Sequence, residues 1–290
     1  MPARPSQVDK TPPRALRATA MASSLAPGAL LRLKPDQATG WLTGLMRWRP
    51  PGSCLVCHRW SAAAVCGHCT MRWARPAPLR CQRCAVNLSH LPHADGICMD
   101  CEAHSPEFDR ALAALDYAPP WSRLLARLKF QDACHLAPWL AERLTKAWQA
   151  RPQVASVILP MPISRVRLRE RGYNQSGLVA QALGQRLGLP VAHDVLQRAR
   201  HTARLMQLDP AQRQAEIAGA FSVNPSTRRR VIGRHVAVVD DVMTTGATLN
   251  EAALMLREAG ARSVSAWVVA RTARSRRATD AAAPCFKDAP

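Results

Sequence analysis

Val238-Val239-Asp240-Asp241-Val242-Met243-Thr244-Thr245-Gly246-Ala247-Thr248 is the stretch that decides the fold. It reads as a β-branched strand over 236–239 that stops at two adjacent carboxylates. A loop of small hydroxyl residues and glycine follows, and then a helix over 249–258. In open α/β sheets ligands bind outside the carboxyl ends of the strands. A helix N-terminus there offers free N–H groups and the positive end of a dipole, which suits a phosphate. Thr244, Thr245 and Thr248 add hydroxyl donors, and Gly246 beside Ala247 lets the backbone come close. Asp240 and Asp241 repel a phosphate, so they suit neutral hydroxyls such as a ribose pair. The loop therefore describes a sugar phosphate, with its hydroxyls on the acids and its phosphate in the loop.

Working outward, strand and helix patterns alternate. Residues 111–117, 154–159 and 263–270 read as strands. Residues 121–130, 135–150 and 174–187 read as helices, with Leu124, Leu125 and Leu128, then Leu136, Leu140 and Leu144, on one face. Gly188 and Pro190 stop the third helix, and Gly260 sits just past the helix at 249–258. This alternation predicts an α/β fold: a parallel sheet with crossover helices. Arg165, Arg167, Arg169 and Arg171 alternate with Val166, Leu168 and Glu170, as a solvated stripe or as a surface for phosphate. Asn174 and Gln175 suit either a polar ligand or a helix cap.

Upstream lie ten cysteines, eight of them in four CxxC pairs: Cys54/Cys57, Cys66/Cys69, Cys81/Cys84 and Cys98/Cys101. Nothing directs export, and in a reducing compartment this arithmetic points to metal rather than disulfides. Two CxxC turns complete a tetrahedral four-thiolate site. Consecutive pairing gives two Zn²⁺ sites; interleaved pairing, or one zinc only, stays open. Cys134 and Cys285 read as ordinary thiols. His58, His68, His90 and His93 are not needed as ligands. Trp60 and Trp73 are expected in a mini-core, the other reading being a stacking platform for bases. A module this small needs its metal to fold.

The chain has 290 residues, 48% of them hydrophobic and 21% charged, which excludes a wholly disordered protein. No apolar run reaches the roughly 18–20 residues of a membrane-spanning helix. The N-terminus lacks the apolar stretch of a secretory signal, so a cytoplasmic protein is expected. The net charge of +20 is spread along the sequence and favours polyanionic partners. Residues 1–50 read as a partly disordered leader, with Met1 or Met21 as the start. Residues 51–105 read as the cysteine module, 106–274 as the α/β domain and 275–290 as a flexible tail.

The stretch at 238–248 resembles the phosphoribosyl pyrophosphate signature of type I phosphoribosyltransferases. Leu159-Pro160-Met161-Pro162, Arg167 to Gln175 and Leu128-Lys129-Phe130, together with the eight cysteines, are similar to the ComF family. That family joins a double zinc ribbon to a phosphoribosyltransferase-like domain. The resemblance covers about residues 51–274. It implies a type I phosphoribosyltransferase-like sheet behind a small N-terminal zinc-ribbon domain. It also implies Mg²⁺ with phosphoribosyl pyrophosphate as ligand, and a role in DNA uptake during natural competence. Asp240 and Asp241 would be catalytic and, with Thr244, Thr245, Gly246, Ala247 and Thr248, would hold the ligand; Arg169 and Arg171, whose planar forks suit phosphate, would meet the pyrophosphate. Ser164, Leu205 and Glu216 depart from the family pattern. Two readings result. One is a phosphoribosyltransferase whose acceptor the sequence does not name. The other is a non-enzymatic module that binds single-stranded DNA, uses the same fold as a ligand sensor and works with uptake machinery.

Overall fold

The computed structural model describes residues 52–75, 79–91, 93–199 and 217–273. The leader and its start site, the stretch holding Leu205 and Glu216, the tail and Cys285 lie outside these residues.

Four parallel strands form the central sheet. They are β5 (Arg110–Asp116), β6 (Val157–Pro160), β9 (His235–Met243) and β10 (Ser263–Arg271), in the order β5-β10-β9-β6. Alternation along each strand sends its side chains into two layers. Leu112, Ile158, Ala237, Val239, Trp267 and Val269 face one apolar cluster. Ala111, Ala113, Leu159, Val236, Val238 and Val268 face the other. A strand buried on both faces reads as a continuous apolar run, which is why these segments show no polar alternation.

Helices α3 (Trp121–Phe130), α4 (Ala137–Ala150) and α6 (Gln175–Leu187) carry the first layer. Leu124, Leu125 and Leu128 are buried at helical spacing, as the sequence predicts. Helix α7 (Ala247–Glu258) covers the second layer with Leu249, Ala252, Ala253 and Leu256. An antiparallel pair, β7 (Leu196–Arg198) and β8 (Phe221–Val223), adds Leu196 and Phe221 to that layer. This pair was not expected from the sequence.

Several boundaries move. The strand expected at 236–239 runs on through both acids to Met243, because pairing with β10 continues to Met243 opposite Arg271. The acids thus lie inside the strand. The strand expected from Val154 starts at Val157, and Val154 is exposed. The helix expected from His135 begins as a 3-10 turn, Cys134–Leu136, ahead of α4. The basic stretch is a helix, α5 (Arg165–Arg171). Ser164 starts it by accepting from the Arg167 N–H at 3.3 Å, and Gly172 ends it at φ +75°. Ser164 thus has a structural use as a cap.

Before the sheet come two short hairpins, each followed by a helix. They are β1 (Gly52–Ser53) and β2 (Trp60–Ser61) with α1 (Gly67–Trp73), then β3 (His93–Ala94) and β4 (Ile97–Cys98) with α2 (Met99–Ala103). Cys54, Val65 and Cys69 join the first core layer beside Trp121 and Trp139. The second hairpin keeps its own small core of Cys81, Val86, Leu88, Cys98 and Cys101. Trp60 is 83% exposed and Trp73 48% exposed, so neither forms the expected mini-core. The apolar roles they would have filled fall to Val65 and to Val86 and Leu88. Among the described residues no helix is long and apolar enough to cross a membrane.

Candidate functional site

Strand β9 leads into a turn at Thr244, Thr245 and Gly246, and α7 begins at Ala247. Gly246 stands at the helix N-cap with φ +90°, a conformation that L residues rarely adopt. It has no side chain to close the helix end. Thr245 partly replaces one, since its Oγ1 accepts from the Ala247 N–H at 3.3 Å. Thr244 and Thr245 are exposed, and Thr248 is half-buried. A cavity of about 30 Å³ is lined by Asp240, Val242 and the run Met243 to Leu249. Asp240 borders this cavity and Asp241 does not.

The two acids differ in their partners. Asp240 Oδ1 accepts from the Ser176 hydroxyl at 3.0 Å and from the Asp241 N–H at 2.9 Å. Burial and the neighbouring Asp241 charge push the Asp240 carboxyl up to about 7, against the pull of Lys129. Asp241 is buried, and its Oδ2 pairs with Lys129 Nζ at 2.8 Å. Its Oδ1 accepts from the Val242 N–H at 2.9 Å. Burial works against the Lys129 charge, but Asp241 and then Asp240 outweigh it and push its pKa up. The sequence gives no role to Lys129 or Ser176. The one signal for Lys129 is its place in the Leu128-Lys129-Phe130 motif.

Asn174 is a helix cap: its Oδ1 accepts from the Ser176 N–H at 3.1 Å, and its amide donates to the Met161 carbonyl at 3.0 Å. That bond fixes Ser176 beside Asp240. Arg171 lies over the Phe130 ring at 4.9 Å and donates to Gln175 Oε1 at 3.1 Å. Arg169 is exposed on the same short helix. Helix α5 follows β6, which pairs with β9, so it leaves from the same carboxyl edge as the loop.

Arg271, also missed in the sequence, is buried at the end of β10. Its Nη1 donates to the carbonyls of Met243 (3.1 Å) and Thr244, and its Nε donates to the Cys84 carbonyl at 3.0 Å. One guanidinium thus ties the loop to the cysteine module.

The eight cysteines gather as two tetrads in consecutive pairing: Cys54, Cys57, Cys66 and Cys69, then Cys81, Cys84, Cys98 and Cys101. Within each tetrad all four sulfurs lie within 4.8 Å of one another. Cys57 and Cys66 Sγ are 3.8 Å apart, and Cys84 and Cys98 Sγ are 3.6 Å apart. A tetrahedral zinc with Zn–S of about 2.3 Å has sulfur–sulfur edges of about 3.8 Å, so the spacing fits. In both knuckles the residue after the second cysteine is left-handed: His58 at φ 59° and Ala85 at φ 55°. Backbone N–H groups from the second half of each tetrad also reach sulfur, Cys66 N to Cys54 Sγ at 3.3 Å and Cys98 N to Cys81 Sγ at 3.4 Å.

Such donors favour thiolate. Burial raises the Cys54 thiol, but N–H groups of Cys66, Cys57 and Val56 outweigh it and bring it down to about 6. Cys81 is lowered, chiefly by hydrogen bonding from Cys101. Burial and neighbouring thiols raise Cys69, and hydrogen bonds to Cys81 and Cys84 raise Cys101. Each cluster thus favours thiolate at one cysteine and resists it at another, a conflict that a divalent cation relieves. The donor sets therefore fit Zn²⁺, and no histidine is among them.

Comparison with known proteins agrees with this architecture. The family described as the phosphoribosyl transferase domain matches residues 174–288. DNA utilization protein YhgH of Escherichia coli is 32% identical over 235 residues, 77% of this chain and 98% of that protein. Competence protein F of Haemophilus influenzae is 32% identical over 196 residues, 66% of this chain and 84% of that protein. Competence protein ComFC of Bacillus subtilis is 27% identical over 190 residues, 61% of this chain and 72% of that protein.

Proposed function

Since the chain belongs to the ComF family, we propose that it binds phosphoribosyl pyrophosphate with Mg²⁺ at 240–248 and serves DNA uptake from the cytoplasm. The observation that carries the reading is one shared cavity. Asp240 borders the same space as the threonine loop and the start of α7. A hydroxyl acceptor and a phosphate cradle bordering one space suit a ribose 5-phosphate. Asp240 takes ribose hydroxyls, and Thr244, Thr245, Gly246, Ala247 and Thr248 take the 5-phosphate. Asp241 holds Lys129 and sets the charge around Asp240. Arg169 meets the pyrophosphate, while Arg171, stacked on Phe130, holds that helix in place. Mg²⁺, when bound, supplies positive charge to the leaving pyrophosphate. Transfer to an acceptor then rests mainly on positioning and charge stabilisation. The two tetrads hold zinc.

Calorimetric titration of phosphoribosyl pyrophosphate in Mg²⁺ buffer tests the site. Asp240→Asn should weaken binding at least tenfold, and unchanged affinity would refute the reading. Asp241→Asn is a poorer probe, because it would leave Lys129 without its buried partner. The wild-type affinity should also rise as pH increases from 6 to 8. The Asp240 carboxyl, at about 7, must be ionised to accept two hydroxyls. A flat profile would argue against Asp240 as the acceptor.

A second reading, single-stranded DNA binding, is favoured by the exposed indoles. Trp60 stands out on the first hairpin, and Trp73 carries the Arg72 guanidinium at 5.1 Å. Exposed aromatics among basic residues suit base stacking and phosphate contact. Affinity for a labelled oligonucleotide should then fall with salt, with a log–log slope of about −0.7 per phosphate contacted. Trp60→Ala should weaken binding while keeping that slope. No binding at low salt by folded, zinc-loaded protein would eliminate this reading.

A further inference from the structure

A second cavity lies away from the threonine loop. It has a volume of about 340 Å³, between α1 of the first cysteine hairpin, the outer edge strand β5 and α4. Its floor is apolar, made largely of the 111–114 stretch of β5 with Ala74, Ala147 and Ala150. Five cations border it, Arg75, Arg80, Arg143, Lys146 and Arg151, and no acid is among the described lining residues.

Two of these cations are built into the structure. Arg80 is 6% exposed and Arg143 9% exposed. Arg80 spends Nη1 on Asp116 (2.9 Å) and the Ala85 carbonyl (3.1 Å), and its Nη2 has no hydrogen-bond partner. Arg143 spends Nη2 on Glu142 and lies over the Trp139 ring, and its Nε has no partner. Arg151 is held in place by two bonds to the Arg80 carbonyl, at 3.1 and 3.2 Å. Buried guanidinium N–H groups left without acceptors are costly, and an anion in the cavity would satisfy them. Asp116 and Glu142 offset two of the five charges, so a net positive field remains at the cavity.

We propose that this cleft is a nucleotide site, distinct from the threonine loop, that takes a nucleoside monophosphate unit, free or at the 5′ end of a strand. The phosphate lies on the guanidinium groups, whose planar forks match its oxygens. The flat base lies on the alanine floor. The volume is at the lower end of ordinary ligand pockets and suits one nucleotide. This inference does not rest on the phosphoribosyl pyrophosphate reading.

The test is calorimetry of the zinc-loaded full chain with 2′-deoxyadenosine 5′-monophosphate and with 5′-phosphorylated and 5′-hydroxyl oligonucleotides. Arg75→Glu with Lys146→Glu alters exposed side chains and should leave the circular dichroism spectrum unchanged. The monophosphate, the 5′-phosphorylated strand or both should bind the wild type and lose at least tenfold in affinity in this variant. Asp240→Asn with Thr245→Ala should leave that binding intact. Binding of the monophosphate identifies a free nucleotide as sufficient; binding of the 5′-phosphorylated strand alone identifies a strand end. The proposal is overturned if neither phosphorylated probe binds, if both strands bind alike while the monophosphate does not, if the charge reversal has no effect, or if only the loop variant loses binding. Tighter binding of decanoate than of the monophosphate would also overturn it, since the cleft would then serve an acyl chain.

Discussion

Replacing Lys129 with methionine would leave the buried Asp241 carboxylate without its cation, held by the Val242 N–H. Breaking a buried pair from one side costs more than the pair itself contributes, because an uncompensated charge stays behind. Lys129 keeps 23% of its side-chain surface, which softens the loss. Lys129→Met should therefore destabilise the fold by about 3 kcal/mol, the low end of the range for buried pairs. Adding Asp241→Leu should recover most of that loss. Urea denaturation of both variants checks this. A double mutant no more stable than Lys129→Met would show that Asp241 matters for reasons other than the pair. The sequence shows both residues but not their meeting. They come from α3 and β9 and are joined only by crossover packing, so no local spacing reveals the contact.

At the scale of elements, the loop depends on the left-handed turn at Gly246. A Cβ there would meet Met243 Sδ at 3.6 Å and the Phe108 ring at 3.8 Å, which is ordinary contact. The strain of Gly246→Ala would thus be in the backbone, about 1–2 kcal/mol for an L residue held left-handed. Thermal melts should register that cost. Calorimetry should register weaker ligand binding, since relaxing φ would turn the Ala247 N–H out of the cradle. A variant with wild-type affinity would show that the phosphate does not use this turn. Elements with a dense apolar period were legible in the sequence. Helix α3 matches residues 121–130 because Leu124, Leu125 and Leu128 define one face. Strand β9 is longer than its local sequence suggests, because two aspartates resemble a strand terminus. What carries it on is the neighbouring strand, which local sequence does not display. Helix α5 was hidden because alternating arginines mimic a period of two. Its identity rests on the Ser164 cap and the Gly172 stop.

For the whole molecule, spacing marks the eight cysteines as ligands but leaves their pairing open; the fold groups them consecutively, and local sequence does not show how the module joins the sheet. Cys54 and Cys69 share an apolar cluster with Trp121 and Trp139, whose rings stack at 5.0 Å. Metal loss at the first tetrad should therefore reach the main core. We expect two zinc ions per chain by elemental analysis of reduced protein. Chelation should lower the melting temperature of the entire chain and reduce the near-ultraviolet dichroism of the stacked indoles. Metal-free protein with an unchanged melt would sink the assignment.

Arg271 gives the second tetrad a similar reach. Its guanidinium grips the Met243 and Thr244 carbonyls on one side and the Cys84 carbonyl on the other. The module around residues 79–103 is therefore no detachable handle. A gene fusion that exchanged it for another ribbon would keep every residue of the threonine loop and still remove the carbonyl that orients its clamp. Recombination between relatives would be expected to respect this dependence, passing on the second knuckle and the strand carrying Arg271 as one inherited block.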